Sequence, residues 1–143
     1  MTDAVKGHLV FACGESLYAV PAEYAVEVVT VPALTRVPGA SGYLQGVFAH
    51  RGEVIAVVDL QGLLGRAAAQ KAKHSRAVLV RVAKGCVALT ATRVLGVTHV
   101  KEGGESLGAS GASAHFKGPS PSALGQVALV EPMGLFDFLS QGA

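Results

Sequence analysis

Residues 46–65 read GVFAHRGEVIAVVDLQGLLG, and the fold class is decided there. An apolar run containing Val47 and Phe48 meets His50-Arg51-Gly52 and then becomes apolar again over residues 53–58. Two short β-forming runs around an Arg-Gly corner spell a hairpin. Asp59 closes the second run and is placed to cap a helical turn over residues 60–64, which Gly65 ends. Arg51 is a charged side chain beside a corner glycine between apolar strands. That position suits recognition better than core packing.

Working outward, the same rhythm recurs upstream. Residues 1–7 read as a loose tail. Residues 8–13 are a short apolar strand turned at Gly14-Glu15, and residues 17–20 form the next strand, stopped by Pro21. Residues 22–25 fit one helical turn. Residues 26–31 mix apolar and polar side chains as on a half-buried strand. Pro32 and Pro38 bracket an extended connection, and GASG at 39–42 is loop.

Downstream, residues 66–75 (RAAAQKAKHS) read as an exposed connector. Residues 76–83 and 86–92 pair as a hairpin turned at Lys84-Gly85, and residues 93–100 continue extended. Residues 101–124 are rich in Gly, Ser and Ala, carry Pro119 and Pro121, and read as a flexible loop interrupted by Phe116. Residues 126–130 are the last strand. Pro132 opens a helix over 133–140 with Leu135, Phe136 and Leu139 as its apolar stripe. Many short strands, few helices and no βαβ rhythm describe an all-β protein: a small barrel or sandwich, or two barrels side by side.

Composition narrows the function classes. The chain has 143 residues, enough for one domain or two small lobes sharing a core. Half its residues are apolar, 15% are charged, and mean hydropathy is +0.44. So sparsely charged a surface suggests that a partner covers some apolar area. A net charge of +2 with scattered basic residues gives no argument for nucleic acid. Lys71, Lys73 and Arg76 are a solvated cluster. No run approaches 18 apolar residues and no secretory leader is visible, so the expectation is a cytoplasmic protein without membrane insertion. Cys13 and Cys86 lie in apolar runs without a CxxC partner and read as small buried hydrophobes in a reducing compartment.

Catalytic patterns do not emerge. The serines lack a GxSxG setting, and the five histidines (His8, His50, His74, His99, His115) make no ligand pair. The carboxylates show no acid/base spacing, and no glycine-rich phosphate loop is present. The expectation is a non-enzymatic binding or adaptor module without cofactor or metal.

The order of residues resembles the CheW-like family, the coupling proteins of bacterial chemosensory arrays. The likeness runs from LVFACG (9–14) through LYAVP (17–21), Glu27-Val28 and TRVP (35–38) to GVFAHRGEVIAVVDL (46–60), which is similar to the family's "G-V-x-N-L-R-G-x-[VI]-[IV]-P-[VI]-[VI]-D-L". The second half is looser. ALTATRV (88–94) falls where the family has "G-[IL]-x-V-D-x-V", with Thr92 in place of the Asp. VALVE (127–131) with Leu135-Phe136 resembles the closing strand and helix.

The resemblance implies a single domain over 1–143 made of two intertwined five-stranded SH3-like β-barrel lobes with a short C-terminal helix. One lobe would span residues 15–65 and the other 8–14 plus 76–140. It also implies a non-catalytic bridge between the cytoplasmic tips of methyl-accepting chemoreceptors and the regulatory domain of a CheA-type histidine kinase, with other CheW-like proteins as further partners. Carried onto this sequence, the kinase contact falls on Ala25, Glu27 and Val28. The receptor contact falls in a groove between lobes at Val87, Leu89, Val94 and Val97, flanked by Arg51. The alternative for Arg51 is an internal ion pair with Asp59 or Glu53. The alternative for the valines and Leu89 is core packing.

Ala25 stands where the family favours a larger β-branched residue. Losing two methyl groups at an interface centre would cost on the order of 1–2 kcal/mol. With Thr92 and the Ser/Pro-rich loop, this motivates a second reading: a divergent member that binds receptors but couples the kinase poorly. A third, of another class, is a small β-barrel enzyme or ligand-binding protein, which a deep polar pocket would mark.

Overall fold

The computed structural model describes residues 5–65 and 76–141. The strands are β1 (Val5–Cys13), β2 (Ser16–Pro21), β3 (Ala25–Thr30), β4 (Leu44–His50), β5 (Glu53–Val58), β6 (Arg76–Val82), β7 (Gly85–Ala91), β8 (Arg93–Lys101), β9 (Glu105–Ser106), β10 (Phe116–Ser120) and β11 (Val127–Val130). The helices are α1 (Leu60–Leu63) and α2 (Pro132–Gln141). The connector expected at 66–75 lies outside the described residues, as does most of the expected N-terminal tail. The part of that tail that is described, from Val5, already belongs to β1.

The strands form a six-stranded sheet, β8-β1-β2-β11-β10-β9, and a five-stranded sheet, β3-β6-β7-β5-β4. Both repeat one pattern. A tight hairpin, β1–β2 or β6–β7, sits in the middle. A further strand pairs antiparallel with its first member: β8 on β1, β3 on β6. Another runs parallel to its second member, β11 beside β2 and β5 beside β7, with an antiparallel neighbour beyond. Each hairpin sends its next strand to the other sheet. β3 follows β2 but edges β6, and β8 follows β7 but edges β1. This exchange is what intertwines the lobes.

The division therefore corrects the boundaries expected from sequence. β2 does not share a sheet with β3–β5, and β6–β7 do. The reason lies in the corner between β2 and β3. The amide of Tyr24 donates to the Pro21 carbonyl at 2.9 Å and that of Ala25 to Ala22 at 3.2 Å, turning the chain out of the first sheet. Pairing between strands remote in sequence leaves no local trace.

Alternation along the strands explains the near-continuous apolar runs. On β1, Val10 faces a cluster with Ala19, Val100, Val127 and Leu129, inside the six-stranded barrel. Its neighbour Phe11 faces the other way, into a core shared with Tyr18, Val20, Val78, Val80, Leu89 and Phe116. On β6, Ala77 and Leu79 fill the five-stranded barrel with Phe48, Ile55, Val57 and Ala88, while Val78 and Val80 join the shared core. Strands buried on both faces need apolar residues at odd and even positions alike. The structure is thus two barrels with private cores and one larger core between them.

The segment 101–124 is not the expected flexible loop. It holds β9, a 3-10 turn at Ala112–His115 and β10. Phe116 anchors it: fully buried, its ring meets Tyr18 edge-on at 6.0 Å. The Leu107 amide donates to the Phe116 carbonyl at 2.8 Å. One aromatic buried in the shared core outweighs the loop-like composition around it.

Candidate functional site

The hairpin at residues 44–58 forms as the sequence implies. His50 and Glu53 pair across it, and Arg51 (φ 53°) and Gly52 (φ 81°) both take left-handed backbone, as a two-residue mirror-image turn requires. Arg51 is strained there and 76% exposed at its side chain. Asp59 caps α1, accepting from the amides of Gln61 (3.1 Å) and Gly62 (3.3 Å).

Arg51 pairs neither with Asp59 nor with Glu53. Its Nη2 donates to Glu27 Oε2 at 3.2 Å, while Glu27 Oε1 lies 3.1 Å from His50 Nε2. Glu27 is on β3 and His50 on β4, the two ends of the five-stranded sheet. Side chains therefore clasp that barrel where no backbone ladder joins its edges. Glu53 instead takes Arg81 in a bidentate pair across to β6. The hydrogen bonds from Arg81 hold the Glu53 carboxyl below its ordinary range. The Arg51–Glu27 and Arg81–Glu53 pairs each have a solvent-exposed arginine and contribute little stability.

On β3, Ala25 is half-buried against the shared core. Val26 and Val28 face solvent at 50% and 38% exposure. The sequence points to Ala25, Glu27 and Val28 and passes over Val26. Period-2 alternation puts Val26 with Val28 on one face and Glu27 on the other, and that signal is present in the sequence. A bulge between Ala25 and Glu27 further sets this strand's facing.

The expected receptor residues separate. Leu89 is fully buried and Val87 is 5% exposed, because β7 is a central strand covered on both faces. Leu89 is thus core and not contact surface, and Val87 survives only as part of a groove floor. Val94 packs partly against the shared core, and Val97 is 65% exposed on β8, in the other sheet. Arg51 is paired with Glu27 of β3 and is not among the residues lining the groove that holds Val87. Thr92, an exposed residue, serves the fold through hydrogen bonds. Its amide and hydroxyl both donate to the Ala12 carbonyl, at 2.8 and 3.1 Å, tying the β7–β8 corner to β1.

A groove is present, but of the four residues expected to line it only Val87 does so. It has a volume of about 390 Å³. Residues 37–41 and 43–44 form one wall, Val54, Ala56 and Val58 of β5 a second, and Phe136 and Leu139 of α2 a third, with Cys86 and Val87 beneath. The lining carries no charged side chain. Val54 is its most open apolar residue, at 70% exposure. Burial pushes the Cys86 thiol up, as it does that of Cys13, so neither is an activated nucleophile, and both are free. Among the described residues, no three His, Cys, Asp or Glu side chains stand where they would hold a metal ion, and no helix is long and apolar enough to cross a membrane.

An intertwined double β-barrel with an exposed apolar edge strand and an uncharged groove is the build of a protein-binding scaffold module. The family model for the CheW-like domain matches residues 7–130, and the chain belongs to that family. It is 30% identical over 90 residues to Protein FrzA of Myxococcus xanthus, covering 63% of this chain and 56% of that protein. It is 35% identical over 71 residues to the chemotaxis protein CheW of Helicobacter pylori, covering 50% of this chain and 43% of that protein. The matched stretches thus span about half the length of these relatives. The crystal structure of the scaffolding protein TtCheW from Thermoanaerobacter tengcongensis superposes with a TM-score of 0.81 over 98% of both chains, at 22% identity. The SH3-like double-lobe fold is shared with it.

Proposed function

We propose that this chain is a non-catalytic adaptor of a bacterial chemosensory system. It couples the cytoplasmic tip of a chemoreceptor to the regulatory domain of a CheA-type histidine kinase, and it acts in the cytoplasm. The observation that carries this reading is a pair of apolar surfaces, sharing no residue, on a chain of the CheW-like family: the Val26/Val28 edge of β3 and the groove beside Val54. A bridge needs two such faces. The β3 edge suits a barrel-to-barrel contact with the kinase domain, which the resemblance assigns to this strand. The uncharged groove suits the apolar stripe of a receptor helix.

No specific observation favours the divergent reading, a member that binds receptors but couples the kinase poorly. Ala25 is half-buried against the shared core. Thr92 and the 101–124 segment serve the fold.

Calorimetric titration of a receptor-tip fragment and of the kinase regulatory domain tests the assignment. Val54→Glu weakens the receptor fragment by at least about tenfold and leaves the kinase domain unchanged, and Val28→Glu does the reverse, as for charges placed in interface centres. Equal loss of both partners in either variant, or of neither, rules the assignment out.

A further inference from the structure

The groove's third wall is α2, and its seating on the barrel rests on a specific contact. Leu135 is the buried anchor of this helix, at 2% exposure. The next residue, Phe136, lays its ring over Gly85 at the start of β7. A Cβ placed on Gly85 would stand 2.8 Å from Phe136 Cζ and 3.3 Å from Cε2, closer than carbon atoms pack. Gly85 is not among the left-handed glycines, so its backbone would accept alanine. The absent side chain makes room for the ring, not for a turn. One residue away, Lys84 Nζ meets Asp137 Oδ1 at 3.1 Å, fixing the same hairpin to the same helix. Phe136 also lines the groove, beside Leu139 and above Cys86 and Val87. The ring that presses on Gly85 is therefore the ring that faces a bound helix.

We infer that Gly85 and Phe136 set the width of this groove and so determine which apolar stripe it accepts. The inference rests on the groove being the receptor site, and both are positioning residues for the receptor helix. A methyl at position 85 meets the far end of a half-buried side chain and no backbone atom, so the ring swings off β7 and the barrel beneath stays folded. Shortening Phe136 to leucine in that background returns the space.

The test uses the full chain with Gly85→Ala, Phe136→Leu and the double variant, each checked for an unchanged unfolding midpoint. Methyl NMR without partner reads the wall: Gly85→Ala moves the Val87 and Leu139 signals, and the double variant moves them back towards wild type. Titration with the receptor-tip fragment reads the consequence: Gly85→Ala weakens binding by about tenfold, and the double variant recovers to within about threefold of wild type. Methyl signals that do not move overturn the inference. So do signals that move while affinity stays constant. Failure of the underlying reading looks different: the wild-type chain then ignores the fragment, or binds it with an affinity indifferent to Val54→Glu, and the inference falls with it.

Discussion

The two barrels share one strand pattern and differ in what they expose. The six-stranded barrel adds β9 and the 3-10 turn to the five common strands, and buries Phe116 of β10 in the shared core. The five-stranded barrel closes its edges with the Glu27–His50–Arg51 clasp and leaves Val26, Val28 and Val54 in solvent. The same topology thus presents three valines on the five-stranded lobe and, on the strands of the six-stranded lobe, Val97 of β8. The difference lies in which side chains the shared strands carry outward, since functional surfaces are grafted onto folds.

The sharpest break of this comparison uses two adjacent residues. Phe11 belongs to the shared core and Val10 to the private core of the six-stranded barrel, both fully buried. Phe11→Ala costs about 3–5 kcal/mol, and because both lobes lose packing, urea unfolding stays a single transition at a lower midpoint. Val10→Ala costs about 2 kcal/mol from the lost methyl groups and the space they leave. A larger loss for Val10→Ala would show that the shared core is not what binds the lobes together.

Smaller effects follow in the five-stranded lobe. Asp59→Ala removes the α1 cap and costs about 1 kcal/mol in chemical denaturation. Glu27→Ala opens the clasp at a cost of about 1 kcal/mol, since Arg51 is exposed although His50 is half-buried, but amide exchange at residues 50–53 quickens while β1 and β2 are unaffected. The Glu53–Arg81 pair gives the smallest signal, through pH. Arg81 lowers the Glu53 carboxyl in the folded state. Its contribution is therefore present above the ordinary carboxylate range and lost as pH falls through the depressed folded value. The stability gap between wild type and Glu53→Gln closes on acidification. A gap that widens contradicts the pairing.

Local pattern carries much of this structure. The Arg-Gly and Lys-Gly corners, the cap at Asp59 and the Leu135/Phe136/Leu139 stripe are short-range signals, and β4–β5, β6–β7, α1 and α2 stand where they point. The lobe boundaries are not legible, because β3 and β8 choose partners far away in sequence. The 101–124 segment misleads because its composition is that of a loop, while the single residue Phe116 decides its order. Of the candidate site, Val28 and Arg51 are exposed as expected. Val26 requires strict alternation. The groove requires knowing that α2 returns against β7, which no spacing in the sequence encodes.

The central claim is that one chain holds two partners on separate surfaces. The most direct measurement titrates the kinase regulatory domain into the chain alone and into the chain saturated with receptor-tip fragment, followed by sedimentation of the mixture. The account predicts binding in both titrations and a ternary complex of all three components. Mutually exclusive binding, or a chain that takes up neither partner, would contradict it.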